Sequence, residues 1–126
     1  NVAFGLPNEL IDVEKVNKAI ELAKLTEFKN TLDSGLETLL GEFGSRLSGG
    51  QRQRIGIARA LYHNPNVLIF DEATNALDTQ TEKNIINEIF SANEDNTIIF
   101  VSHNRDNLIF CDLICEVKDR TLSRLN

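Results

Sequence analysis

A chain of 126 residues, 41% hydrophobic and 25% charged, has room for one modest core and the balance of an ordinary globular protein. Its net charge of -6 disfavours a nucleic-acid partner held by phosphate neutralisation, and equally a bare anionic membrane surface. Unbroken apolar runs such as residues 67–70 are far too short to span a bilayer, and no signal-peptide pattern opens the chain. Cys111 and Cys115 are too few for a disulfide framework and lack Cys-x-x-Cys spacing; they read as buried apolar fillers in a reducing compartment, the cytosol by default. There is no methionine and the first residue is Asn1, so the chain reads as a piece of a longer polypeptide, with N-terminal processing as the alternative.

Residues 1–8 form a short apolar lead closed by Gly5 and Pro7. Between Asp12 and Leu25, Val13, Val16, Ile20 and Ala23 recur at helical spacing with charged residues between them, which predicts an amphipathic helix. Thr26 to Leu32 predicts a shorter helix with Thr26 as its cap. Residues 33–46 hold three glycines and read as a long loop, of a kind that tends to be functional. Ser48 is a natural N-cap for a helix that runs to about His63 and stops before Asn64-Pro65. Gly49 and Gly50 carry no Cβ, so a ligand can approach the main chain where unpaired N–H groups and the helix dipole favour an anion. The helix is apolar over much of its circumference, which predicts burial, with Arg52, Arg54 and Arg59 reaching outward and His63 at the negative end of the dipole.

Val67 to Phe70 predicts a strand buried on both faces, as in a parallel sheet, and it ends in Asp71-Glu72. Two carboxylates at the C-terminal end of such a strand stand where α/β sheets place their ligands, and adjacent acids are expensive to bury. A divalent ion bridging to phosphate oxygens would account for the first, and polarisation of an attacking water for the second. Thr79-Gln80-Thr81-Glu82 reads as a capping box opening a helix with Ile85, Ile86, Ile89 and Phe90 as its apolar stripe. A second strand apolar on both faces follows at 97–101, then a short helix at 104–110, a strand at 112–117, a turn at 118–120 and a return through Leu122–Leu125 as a hairpin. Strand–helix–strand alternation in the second half argues for α/β, while the first half is helical.

Leu47-Ser48-Gly49-Gly50-Gln51-Arg52-Gln53-Arg54 resembles the signature motif of the ABC-type ATPases, and residues 67–72 one helix later resemble Walker B. Taken together, the chain is similar to the C-terminal part of the nucleotide-binding domain of an exporter-type ABC transporter. That resemblance implies an α/β fold: a partial P-loop NTPase core with parallel strands and flanking helices, a helical signature subdomain over 1–64, the C-terminal part of the core over 65–126, and a terminal hairpin. It implies that Asp71 binds Mg²⁺ through water, that Glu72 is the catalytic carboxylate, and that His103 is the switch histidine contacting the γ-phosphate of ATP. It also implies that Ser48, Gly49, Gly50 and Gln51 contact nucleotide held by the opposite subunit. Asn75-Ala76-Leu77-Asp78 resembles the D-loop at the dimer interface. Residues 38–44 resemble the x-loop, which touches the membrane domain, here through Thr38, Gly41, Glu42 and Phe43. Phe43 stands where an arginine is common, so an apolar contact replaces a charged one. Ala73, in place of a proline, favours exporters, and Arg120 departs from the glycine usual in the terminal turn, which bears on local strain.

No glycine here is followed by lysine, so the P-loop pattern Gly-x-x-x-x-Gly-Lys-Ser/Thr is missing. The family's adenine platform and Q-loop are missing too, and Asn1 to Gly5 resembles the segment just after the Q-loop. The expectation is a truncated domain, inactive alone. In the full-length protein it would use ATP and Mg²⁺, pair head-to-tail with a second nucleotide-binding domain, and drive a fused or separate membrane domain from the cytoplasmic face, with no nucleic-acid partner. In the family the P-loop strand lies between the strands expected at 97–101 and 112–117. Those two should therefore either pair directly or associate with another copy. The alternatives are a soluble ABC-type ATPase of DNA repair, chromosome maintenance or translation, and a non-catalytic ABC-like interaction module.

Overall fold

Asp12 opens the first long helix, α1 (Val13–Leu22), its carboxylate accepting from the N–H groups of Glu14 and Lys15 at 3.0 and 3.1 Å. The computed structural model describes residues 1–125. Val16, Ala19 and Ile20 form the buried stripe of α1. A second helix, α2 (Thr26–Asn30), does not use Thr26 as its cap: Leu25 occupies that position and makes no side-chain bond. The following loop is not featureless, since it winds into short 3₁₀ turns at Gly35–Glu37 and Glu42–Gly44.

Helix α3 (Gly49–Tyr62) buries Ile55, Ile57, Ala58, Leu61 and Tyr62. The Tyr62 hydroxyl accepts from the Asp12 N–H at 3.1 Å, tying the end of α3 to the start of α1. The arginines do not simply reach outward. Arg52 donates to the Leu47 carbonyl at 2.7 Å, Arg54 to that of Lys24 at 2.6 Å, and Arg59 to that of Asn1 at 3.0 Å, with the Arg59 guanidinium over the Phe4 ring. A guanidinium offers five donors and loop carbonyls need partners, so folding back satisfies both.

Strands β1 (Val67–Asp71) and β2 (Thr97–Val101) pair in parallel, Val67 against Thr97 through to Asp71 against Val101. The crossover between them carries α4 (Thr79–Ala92), which packs on one face: Phe90 meets Phe100, which meets Phe70. Leu68 and Phe70 are accordingly buried, while Val67, Ile69, Ile99 and Val101 remain 46–64% exposed. The expected burial of both faces is thus half wrong, because alternate strand residues point to opposite sides and one crossover helix covers one of them.

The capping box at 79–82 is also corrected. Asp78 is the cap, accepting from the Thr81 N–H at 3.0 Å. Cap assignment one residue earlier turns Glu82 inward, where its buried carboxylate accepts from the Thr74 hydroxyl at 2.7 Å. Hydrogen bonds from Thr81, side chain first and then backbone, hold the Asp78 carboxyl below its ordinary value. Its capping contribution is therefore in place at neutral pH and is lost only as pH falls through that lowered value.

After a 3₁₀ segment (Arg105–Phe110), β3 (Cys115–Lys118) and β4 (Thr121–Arg124) form an antiparallel hairpin, starting later than the expected 112. Among the described residues β2 pairs only with β1 and β3 only with β4, so the expected direct pairing of the strands near 97–101 and 112–117 does not occur. The hairpin partner is local, and its pairing closes a loop of only two residues. Cys115 is exposed, not buried; Cys111 is half-buried, and burial, with Asp112 beside it, pushes its thiol up.

The result is an α/β chain with one parallel pair, flanking helices and a small antiparallel hairpin. The hairpin turn places Asp119 and Arg120 at φ of 50° and 61°, the left-handed pair that a two-residue turn demands and glycine adopts most easily. Arg120→Gly is expected to stabilise the chain by about 0.5–1 kcal/mol. Urea denaturation reads this directly, and a loss of stability would show that the turn is unstrained.

Candidate functional site

Because β1 and β2 run parallel and in register, their C-terminal ends emerge side by side, Asp71 opposite Val101. The Glu72 N–H extends the ladder to the Val101 carbonyl at 3.1 Å, and its φ of 49° then turns the chain off the sheet. A non-glycine residue in that region is uncommon and marks a place where the backbone is held against its preference. The turn aims the Glu72 carboxylate at the end of the neighbouring strand. One oxygen meets Nε2 of His103, and the other accepts from Nδ2 of Asn75 at 2.8 Å. Both partners stay open to solvent, the imidazole at 84% exposure, so an incoming group can reach them. A carboxylate and an imidazole in contact at a strand end can accept and hold a proton and orient an attacking hydroxyl or water.

Asp71 is exposed, and no hydrogen bond or ion pair among the described residues engages its carboxylate. No group of three or more His, Cys, Asp or Glu residues forms a metal cage among them. A lone free carboxylate still suits Mg²⁺, which keeps most of its waters and takes the remainder of its shell from phosphate. Behind His103, Ser102 Oγ accepts from the Asn104 N–H at 3.1 Å and from Asn107 Nδ2 at 3.5 Å, and Asn107 is fully buried.

The second cluster opens α3. Ser48 is its N-cap in a reciprocal capping box: Ser48 Oγ accepts from the Gln51 N–H at 3.1 Å, and Gln51 Oε1 accepts from the Ser48 N–H at 2.8 Å. The Gln51 side chain is therefore engaged in the cap, while the Ser48 hydroxyl keeps a proton to donate. Gly49 and Gly50 are half-exposed, and a Cβ on Gly50 would lie 3.2 Å from both the Ala76 carbonyl oxygen and Leu77 Cδ2. Glycine there also serves close packing within this chain, a reason that motif reading alone does not supply.

The two clusters are joined by residues 74–78. Thr74 is buried against Glu82, Asn75 holds Glu72, the Ala76 N–H donates to Gln53 Oε1 at 2.8 Å, Leu77 is partly buried against the core, and Asp78 caps α4. Gln53, Thr74, Glu82 and Asn107 were not singled out as site residues from sequence. Gln53 was within reach, since it lies three residues after Gly50 and so on the same helix face.

Thr38, Gly41, Glu42 and Phe43 lie on a separate surface. Phe43 is 100% exposed at a φ of 52°, Leu39 is 80% exposed, and the Thr38 hydroxyl is buried without a partner among the described residues. Thr38 also lines a half-open cavity of about 170 Å³, with Val16, Ile20, Phe28, Leu40 and Ile55, which neither Asp71 nor Glu72 reaches.

The family model described as "ABC transporter" matches residues 7–75. Multidrug resistance protein pgp-1 of Caenorhabditis elegans is 40% identical over 122 residues, 97% of this chain and 9% of that protein. An ATP-dependent lipid A-core flippase of Aliivibrio fischeri is 43% identical over 119 residues, 94% of this chain and 20% of that protein. A solved structure of a bacterial Atm1-family ABC exporter with ATP bound superposes at a TM-score of 0.81 with 37% identity, covering 90% of this chain and 20% of that one. The chain thus spans between about a tenth and a fifth of the length of these relatives. A family match across more than half of the residues, with a capped signature helix and an acidic strand end in the family's order, makes this chain a member of the ABC transporter family.

Proposed function

We propose that the chain works as part of the ATP-binding and hydrolysing domain of an exporter-type ABC transporter, residues 1–64 as its helical signature subdomain and 65–126 as the C-terminal part of its ATPase core. The observation that carries this reading is the meeting of Glu72, His103 and Asn75 at the common end of β1 and β2. Glu72 accepts the proton of the attacking water and His103 contacts the γ-phosphate. Asp71 would hold Mg²⁺ through water, and the ion would supply charge neutralisation to the phosphate.

Ser48, Gly49, Gly50 and Gln51 contact nucleotide carried by a second nucleotide-binding domain in a head-to-tail dimer, with Asn75, Ala76, Leu77 and Asp78 along that interface. A capped helix opening with half-exposed glycines supports this, since it presents N–H groups to an anion. Thr38, Gly41, Glu42 and Phe43 meet the membrane domain, fused or separate, at the cytoplasmic face. The fully exposed Phe43 and the largely exposed Leu39 support that contact, since apolar side chains left open to water favour a partner. One curated relative is a flippase by name and the solved relative an ABC exporter, which argues against a soluble ATPase of DNA repair, chromosome maintenance or translation. The assembled carboxylate–imidazole pair argues against a purely interacting module.

The reading requires a P-loop from outside these 126 residues. The purified chain is therefore expected to show no magnesium-dependent ATP turnover. Joined to a segment carrying Gly-x-x-x-x-Gly-Lys-Ser/Thr from an exporter relative, it is expected to gain turnover. Hydrolysis by the chain alone, or none by a well-folded fusion that binds ATP, would sink the proposal.

A further inference from the structure

Four observations converge on a side chain that no motif role covers. Gln53 Oε1 accepts from the Ala76 N–H at 2.8 Å. On the same face of α3, Gly50 leaves room for the Ala76 carbonyl and Leu77, which an added Cβ would approach to 3.2 Å. The residue before Ala76 is Asn75, whose amide donates to Glu72 at 2.8 Å. Glu82 of α4 holds Thr74 by a buried hydrogen bond of 2.7 Å. The turn carrying Asn75 is therefore clamped between two helices, at Thr74 from α4 and at Ala76 from α3.

We infer that Gln53 is a positioning residue for Glu72, acting through the Ala76 peptide to hold Asn75 where its amide fixes the carboxylate. This rests on the proposed role of Glu72, which it deepens. The physics is one of restraint: Asn75 is exposed, and an exposed amide keeps a single orientation only if the backbone beneath it is fixed. The Ala76 N–H is the backbone donor next to it, and Gln53 is its acceptor. The same bond links the signature helix to the carboxylate within one polypeptide, so a displacement of the α3 opening is felt at Glu72.

The test uses the 126-residue chain and needs no ATPase activity. Gln53→Met keeps the length of the side chain and removes the acceptor; Gln53→Glu keeps an acceptor. In Gln53→Met, amide exchange at Ala76 is expected to rise roughly three- to tenfold, the worth of one hydrogen bond. The Asn75 side-chain amide resonances should move toward those of a free amide, and both signals should return in Gln53→Glu. Asn75 resonances that stay in place while Ala76 exchanges faster would overturn the inference. So would loss of protection all along α3 in Gln53→Met, because Gln53 would then be a packing element. These outcomes are read apart from any failure of Glu72 as the base, which only turnover measurements register.

Discussion

Glu72→Gln is expected to slow ATP turnover by roughly 10²–10⁴-fold in the protein supplied with a P-loop, the usual share of a general base. Glutamine matches glutamate in size and can still accept from Asn75 Nδ2, so the turn at 72–75 should keep its shape. What disappears is the ability to take a proton, together with the attraction between the carboxylate and the His103 imidazole. Binding of nucleotide depends on other groups, so its affinity should change far less than turnover, and the loss should appear in kcat. Phosphate release under steady state, with nucleotide affinity measured in parallel, separates the two. Turnover left intact would mean that another group takes the proton and that the contact with His103 is only structural.

The meeting of Glu72 and His103 was legible because the residues are consecutive or fixed by strand geometry. Asp71 and Glu72 follow an apolar run, and His103 follows another, so parallel pairing alone brings them to one edge. Helix α3 was legible for a similar reason: Ser48 declares its start and Asn64-Pro65 its end, although the reciprocal bond from Gln51 was not read. The side chains between the clusters were not. Thr74 and Glu82 make their bond only once α4 docks, and capping by Asp78 instead of Thr79 changes which way Glu82 faces. Nothing in local spacing chooses between two adjacent cap residues. Cys115 was misread because an apolar neighbourhood in sequence is not burial in space, and a hairpin away from the core leaves it exposed. The half-covered face of β1 is the same lesson at larger scale, since a run of four apolar residues says that both faces can be buried and not that the chain buries them.

That asymmetry gives the second large effect, this time on stability. Ile85→Ala is expected to destabilise the chain by about 2–5 kcal/mol, whereas Ile69→Ala should cost less than about 1 kcal/mol. Ile85 has no exposed surface and belongs to the cluster that includes Leu68 and Phe70, so truncation removes buried methyl groups and leaves a cavity that a helix on a strand pair cannot close. Ile69 is 64% exposed on the other face, and shortening it removes mainly contacts with water. Against a total of about 5–15 kcal/mol for a small domain, the first change removes a large share of the folding free energy and the second does not. Urea titrations of both variants, followed by far-UV circular dichroism, give the comparison. Equal costs would mean that the face carrying Val67, Ile69, Ile99 and Val101 is covered in solution by another chain, and self-association of Ile69→Ala would then be weaker than that of the parent. A large difference means that the face buried under α4 carries the stability of the strand pair that holds Glu72 and His103, so that the packing of α4 and the geometry of the site fail together.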